Sequence, residues 1–334
     1  MRGGKSLTEN ALVSLFEDME RLRMCVFKPR GWECHAFERR VGAQEVVRPT
    51  TGLYARKEYW DQLSSAERAL HVAKTEGVQH PSWVFTHATA ALAHGLDVPE
   101  AAAWPIHYTT PLSGGGKSRE NHVHHRRDVS GAVSVNDMRV TPVDRTVIDC
   151  ACEYPFGLAL AIADSALHLG LVTGEQLCAR LDEMAGARGV SAARRVVSLA
   201  DARPESGGES RVRALMMELD LPLPELQAPV PDPERPGVDY RVDFLFRPEG
   251  LAPVALELDG LKKYRDMAMT HGKTAVEVMA RERQREADVT AHGIRVARMG
   301  FAQAIQPDLL LRKLAAYGVV PQPRKGRRRG GSAE

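Results

Sequence analysis

Two apolar stretches carry acids where buried strands ordinarily carry none, and that conflict constrains the fold more than any other feature. Val242-Asp243-Phe244-Leu245-Phe246 and Val254-Ala255-Leu256-Glu257-Leu258-Asp259-Gly260 are rich in Val, Leu and Phe and bounded by Pro and Gly, the pattern of short buried strands. Taking an ionised carboxylate out of water is costly unless it is paired or bound to metal. Side chains alternate along a strand, so Glu257 and Asp259 share one face and Val254, Leu256 and Leu258 the other. A hairpin across Arg247 to Pro253 gathers Asp243, Glu257 and Asp259 at one end of a sheet. Hard oxygen ligands gathered this way suit magnesium. The alternative is that these acids face solvent at strand ends or pair with Lys262 and Lys263.

Residues 205 to 219 read as a helix with a clear start. Ser206 and Glu209 have the spacing of a capping box, Val212, Leu215, Met216 and Leu219 form the apolar stripe, and Pro222 stops the helix. Glu209 lies on the buried side of the first turn, as a cap, as a fourth acid aimed at the metal, or both.

Taken together, Glu209 on a helix, Asp243 in a first strand and Glu257-x-Asp259-Gly260-x-x-Lys263-Tyr264 after a second resemble the PD-(D/E)xK nuclease superfamily. Within it they are most similar to the branch of small proteins like the very-short-patch repair (Vsr-like) endonucleases. The resemblance covers roughly residues 204 to 318. It implies an α/β (α+β) fold, a restriction-endonuclease-like mixed sheet flanked by helices, and hydrolysis of a phosphodiester bond dependent on Mg2+ (or Mn2+). Carried over, Asp243 and Glu257 hold the metal with Asp259 beside them, Glu209 contributes from its helix, and Lys263 stabilises charge on the phosphate. The superfamily usually has Lys two residues after the strand Glu, and here Asp259 stands there. That leaves the catalytic lysine open among Lys263, Lys262 and none, and it permits an inactive, degenerate nuclease.

Residues 273 to 291 read as a charge-dense helix closed by His292-Gly293. Its arginines either line a solvated face or, through Arg281, Arg283 and Arg285, approach a phosphate backbone. Residues 294 to 299 alternate as a strand of the same sheet. The basic run Arg324 to Arg329 reads as a disordered arm, with phosphate contacts or with no partner.

At the other end, residues 6 to 24 carry Leu12, Leu15, Phe16, Met19 and Leu22 at helical spacing, and His35 to Arg40 is a second short helix. Strands at 44 to 48 and 52 to 56 follow, joined by a Pro49-Thr50-Thr51 turn. Helices followed by a hairpin outline a winged helix, a fold that commonly reads the DNA major groove. The pattern resembles the N-terminal domain of the abortive-infection antitoxin (AbiEi-like) proteins, although the turn here is not basic and the recognition helix is short. Arg39, Arg40, Arg48 and Arg56 are then the candidate phosphate contacts. A small helical domain that binds only protein is the competing reading.

Residues 80 to 148 continue the antitoxin-like region, with a strand and helix over 83 to 96 and a strand at 106 to 109. Ser113 to Ser118 lacks the phosphate-loop spacing and reads as a turn. Of His122, His124 and His125, tested as metal ligands, only His122 and His124 share a strand face, and no acid or Cys lies beside them in the chain, so a polar, phosphate-facing surface is preferred to a metal site. Asp144 is expected to pair with Arg145 or to cap its helix. From 150 to 200 the chain is helical, with Thr173 capping one helix.

With 334 residues and 43% hydrophobic content, two or more cores are expected. The divisions are a winged-helix-like domain over 1–75, an antitoxin-like region over 76–203, a nuclease-like domain over 204–318 and a basic tail over 319–334. Five cysteines form no ligand pattern and suit reduced thiols. Neither a secretory signal nor a membrane span is indicated, so the cytoplasm is expected. The expected function is a DNA endonuclease with its own DNA-binding module, in phage defence or DNA repair. The alternatives are a non-catalytic DNA-binding regulator on a degenerate nuclease fold, and a binding module for a toxin or defence-system partner.

Overall fold

The computed structural model describes residues 9–27, 33–110, 121–126, 130–259 and 275–322. The protein is a mixed α and β chain with three sheets among those residues. It divides into two units, Met1–Ala200 and Asp201–Glu334, so the break falls after Ala200 rather than after Arg203.

The first unit opens with α1 (Glu9–Arg21), β1 (Val26–Phe27), α2 (Glu33–Gly42), β2 (Val46–Thr50) and β3 (Leu53–Arg56). The three strands form an antiparallel sheet in the order β1-β3-β2. Leu12 and Phe16, one turn apart on α1, pack with Val26, Phe37, Val46 and Tyr54 into a small core. Phe37 sits 5.8 Å from the Phe16 ring and 4.9 Å from that of Tyr54, which holds α2 on the sheet. The hairpin turns at Thr51-Gly52, with Gly52 in the left-handed region. Pro49 and Thr50, expected in the turn, belong to β2, whose register shifts there.

Next come α3 (Lys57–Gln62), α4 (Ser65–Gln79), β4 (Val84–Phe85), α5 (His87–Ala93), β5 (Ile106–Thr109), β6 (His122–His125), β7 (Val133–Val135) and β8 (Met138–Val140). Strands β4 to β8 form a mixed sheet in the order β6-β5-β4-β8-β7, with β5 parallel to β6 and β4 parallel to β8. Helices α6 (Val143–Glu153), α7 (Phe156–His168), α8 (Gly174–Glu183) and α9 (Val190–Leu199) complete the unit. Thr173 caps α8 in a reciprocal box with Gln176. Asp144 neither pairs with Arg145 nor caps its helix: it takes the Arg180 guanidinium at 2.6 Å, while Arg145 holds Asp149 one turn on. The helical period puts Asp149 against Arg145, and α8 supplies the nearer cation for Asp144.

The second unit runs α10 (Gly207–Glu218), β9 (Glu225–Pro231), β10 (Asp239–Phe246), β11 (Val254–Asp259), α11 (Ala275–Ala291), β12 (Arg295–Gly300), α12 (Phe301–Ala304) and α13 (Pro307–Ala315). Its sheet has the order β12-β11-β10-β9, antiparallel except for the parallel β11–β12 pair. The expected β10–β11 hairpin is present, with Phe244 opposite Leu256 and Phe246 opposite Val254. Both faces are covered. Val212 and Met216 of α10 pack on Phe244, Leu256 and Leu258 together with Leu310 and Leu314, while Val289 of α11 covers Ala228, Val242, Leu245 and Ala255. Each large apolar side chain so buried contributes about 1.5–3 kcal/mol.

The alternation of β9 and β10 breaks at one level. Leu226 and Phe244 are paired and face one core, whereas Ala228 and Val242, also paired, face the other. Residues two apart on a regular strand share a face, so both strands twist between these pairs. The residues at the twist are Gln227, with φ +49°, and Asp243.

Candidate functional site

Two polar side chains, Gln227 and Asp243, stand where β9 and β10 change faces. Asp243 is buried, and its Oδ2 accepts a hydrogen bond from the backbone N–H of Leu258 at 2.8 Å. Gln227 donates from Nε2 to Glu209 at 2.8 Å. Glu209 is in turn fixed from its own helix start: it accepts from the N–H of Glu205 and the hydroxyl of Ser206, and its N–H donates to Ser206 Oγ. Of the roles expected of Glu209, the cap is present in part: its N–H meets Ser206 Oγ, while its carboxylate takes the Glu205 N–H rather than that of Ser206, and the side chain is 3% exposed. Burial, and then the negative charge of Asp243, raise its carboxyl above the ordinary glutamate range despite these donors.

Glu257 is also buried, on the face toward α11, and Arg285 of that helix grips both its oxygens at 2.9 and 3.2 Å. The same guanidinium donates to the carbonyl of Arg241, which ties α11 to β10 and β11 together. Asp259 stands nearer the surface, 3.6 Å from Arg298, which also meets Glu282 at 3.1 Å and Glu286 at 3.2 Å. Among the described residues, Asp243, Glu257 and Asp259 do not bring ligand atoms all within 4.8 Å of one another, and neither does the set with Glu209. Asp243 and Glu257 are buried on neighbouring strands, with the charge of Asp243 felt at Glu209 and Glu257 held by Arg285, while Asp259 is drawn into the Arg298 network. Lys263, with Gly260, Lys262 and Tyr264, lies outside the described residues.

The candidate nucleic-acid contacts separate by what holds them. Arg285 is corrected from a phosphate contact to an internal one, because burial of Glu257 demands a cation. Arg281 and Arg283, on the same helix, are exposed. In the first unit Arg56 is bound to Glu20, its Nε 2.7 Å from Oε1, and Arg40 is largely buried beside Glu45. Arg39 is exposed, and Arg48 is half-exposed with only a 3.4 Å contact to Glu38.

The expected phosphate-facing histidine surface is corrected too. His122 is buried against Trp83, with Glu76 Oε1 at 3.5 Å, because β6 lies under a covered face rather than at the surface. His124 meets the Thr110 hydroxyl at 2.9 Å. Sequence reasoning passed over Gln227, on a strand disguised by Pro229 and Pro231, and it passed over His87 and His107, which meet His125 in space.

Two proteins of Mycobacterium tuberculosis, from two strains and both described as uncharacterized, are each 32% identical to this chain over 160 residues. The match covers 47% of this chain and 56% of each relative, so the chain spans about half the length of the curated relatives it matches. No family model matches the chain. No solved structure matches it either.

Proposed function

We propose that the chain is a magnesium-dependent DNA endonuclease of the PD-(D/E)xK type, similar to the very-short-patch repair branch, with a winged-helix-like DNA-binding module resembling the AbiEi-like antitoxins. One observation carries this reading: Glu209, Asp243 and Glu257 are all buried in one unit, on a helix and two adjacent strands of a mixed sheet. A buried carboxylate needs a cation or hydrogen-bond donors about it.

The residues fit a magnesium ion in chemistry and charge. The donors are hard carboxylate oxygens, and the Glu209 carboxyl is raised by burial first and by the charge of Asp243 second. Two protein carboxylates suffice, since magnesium keeps waters and takes substrate phosphate oxygens for the rest of its shell. Asp243 and Glu257 would hold it. When bound, the ion supplies Lewis-acid polarisation of the scissile phosphate and a water of lowered pKa. Asp243 is preset for this by the Leu258 N–H. Glu209 braces the site through Gln227, Glu257 orients the water, and Lys263 offsets charge growing on the phosphate. Arg39, Arg48, Arg281 and Arg283 are exposed and would meet a DNA backbone. Among the described residues no helix is long and apolar enough to cross a membrane. The free thiols of Cys25 and Cys150 support a cytoplasmic setting.

A second reading, a non-catalytic DNA-binding regulator on a degenerate nuclease fold, is favoured by the Arg285 grip on Glu257 and by Asp259 in the usual lysine position. The deciding assay is cleavage of nicked, mismatched, single-stranded and supercoiled DNA with and without Mg2+, by wild type, Asp243→Asn and Glu257→Gln. Magnesium-dependent cleavage lost in both variants is the expected result. Specific duplex binding that survives both substitutions, with no cleavage of any form, replaces the enzyme with the regulator. A co-purifying toxin or defence protein, with neither activity, replaces both.

A further inference from the structure

We propose that His87, His107 and His125 in the first unit bind a divalent transition-metal ion of the zinc class, with Glu153 as the fourth ligand. Among the described residues they are the group whose ligand atoms all lie within 4.8 Å of one another. They arrive from three elements: the first residue of α5, the middle of β5 and the end of β6.

The orientation of the rings supports the site. In two of the rings one nitrogen faces an oxygen outside the cluster: His87 Nδ1 is 2.9 Å from Thr86 Oγ1 and His107 Nε2 is 3.1 Å from Tyr154 Oη. Tyr154 Oη already accepts from the Ala88 N–H and has a second lone pair for a His107 N–H. A proton on each of these two outer nitrogens turns a lone pair inward from His87 Nε2 and His107 Nδ1. Such outer partners fix the tautomer of metal-bound histidine.

The inner atoms are close and incompletely satisfied. His107 Nδ1 and His125 Nε2 lie 2.9 Å apart, so without a cation a proton has to sit between them. His87 is fully buried, and its Nε2 has no hydrogen-bond partner although Glu153 Oε1 is 3.3 Å away, out of line for one. Tetrahedral zinc, with bonds of about 2.0–2.1 Å, sets its ligand atoms about 3.3–3.5 Å apart, so small movements complete the shell. His87 also holds a left-handed backbone, φ +51°, a strain that non-glycine residues tend to keep at binding sites. Glu153 is partly exposed and offers an entry path.

The test is cobalt(II) and zinc(II) titration of the full chain after chelator treatment. The expected result is a tetrahedral cobalt absorption band saturating near about one equivalent, displaced by zinc, with zinc raising the melting temperature. His125→Ala and His107→Ala remove the band, and Tyr154→Phe weakens binding about 10–100-fold. Arg247→Ala, at an exposed position in the other unit, leaves it unchanged. If the histidine variants do not fold, the wild-type band and the Tyr154→Phe shift decide. No band in the wild type, or an equal band in foldable His125→Ala, overturns the proposal.

Discussion

Arg285 holds Glu257 through both carboxylate oxygens, 2.9 and 3.2 Å from its guanidinium, and so supplies the charge that a bound cation supplies in a metal site. Removing the arginine leaves a buried carboxylate without that partner. Arg285→Ala is therefore expected to lower stability by about 2–3 kcal/mol in metal-free buffer. If Glu257 is a magnesium ligand, Mg2+ then restores stability to the variant more than to the wild type, by mass action on the folded state. Denaturant midpoints with and without Mg2+ measure both effects, and a variant blind to Mg2+ removes Glu257 from the ligand set.

Glu209 and Asp243 are coupled through charge, and the sign of the pH effect follows. The folded carboxyl of Glu209 is raised above its ordinary 4.5. Its protonated form therefore favours the fold: that contribution is fully present below 4.5 and is lost as pH rises through the raised folded value. Asp243→Asn removes the neighbouring charge, so the Glu209 carboxyl should fall toward 4.5 and the pH window should narrow. Carboxyl carbon NMR titration of the two proteins reads this directly. An unmoved Glu209 would place Asp243 too far away to matter.

The first unit separates arginines that bind outward from those that bind inward. Arg39→Ala and Arg48→Ala should weaken DNA binding across sequences and each reduce the salt slope by about one. Arg56→Ala breaks the Glu20 pair and should lower the melting temperature, with any loss of DNA binding following the loss of fold. Fluorescence anisotropy across salt concentrations, beside thermal melts, separates the two classes. Equal binding by Arg39→Ala, Arg48→Ala and wild type argues against the module.

Gly189 starts α9 in the left-handed region, φ +85°, and a Cβ placed there meets the backbone oxygen of Cys152. Backbone cannot yield as a flexible side chain does. Gly189→Ala is expected to cost about 1–3 kcal/mol by chemical denaturation, while the second unit, carrying its own core, keeps its transition.

The strands with misplaced acids, the cap of α10 and the β12 strand are legible in the sequence because their signals are local. Alternation, the Ser206–Glu209 spacing and flanking Pro and Gly all act within a few residues. Strand β9 is not legible: Pro229 and Pro231 read as breakers, yet β9 lies at the edge of the sheet, where missing N–H donors are tolerated. Gln227 is hidden with it. On α11 the sequence places Arg281 and Arg285 on one face, but only packing decides that one turn stays in solvent while the next reaches Glu257. The histidine cluster is illegible for the same reason, since its members come from separate elements and none carries a ligand spacing.

The bond from Leu258 N–H to Asp243 also fixes how far two neighbouring strands can zip together. The ladder pairs run from Phe246 with Val254 to Phe244 with Leu256, and beyond them a side chain takes the amide that a backbone carbonyl would otherwise claim. A carboxylate in that position acts as a spacer: it ends the backbone ladder of the hairpin on a side-chain bond and so pins its register.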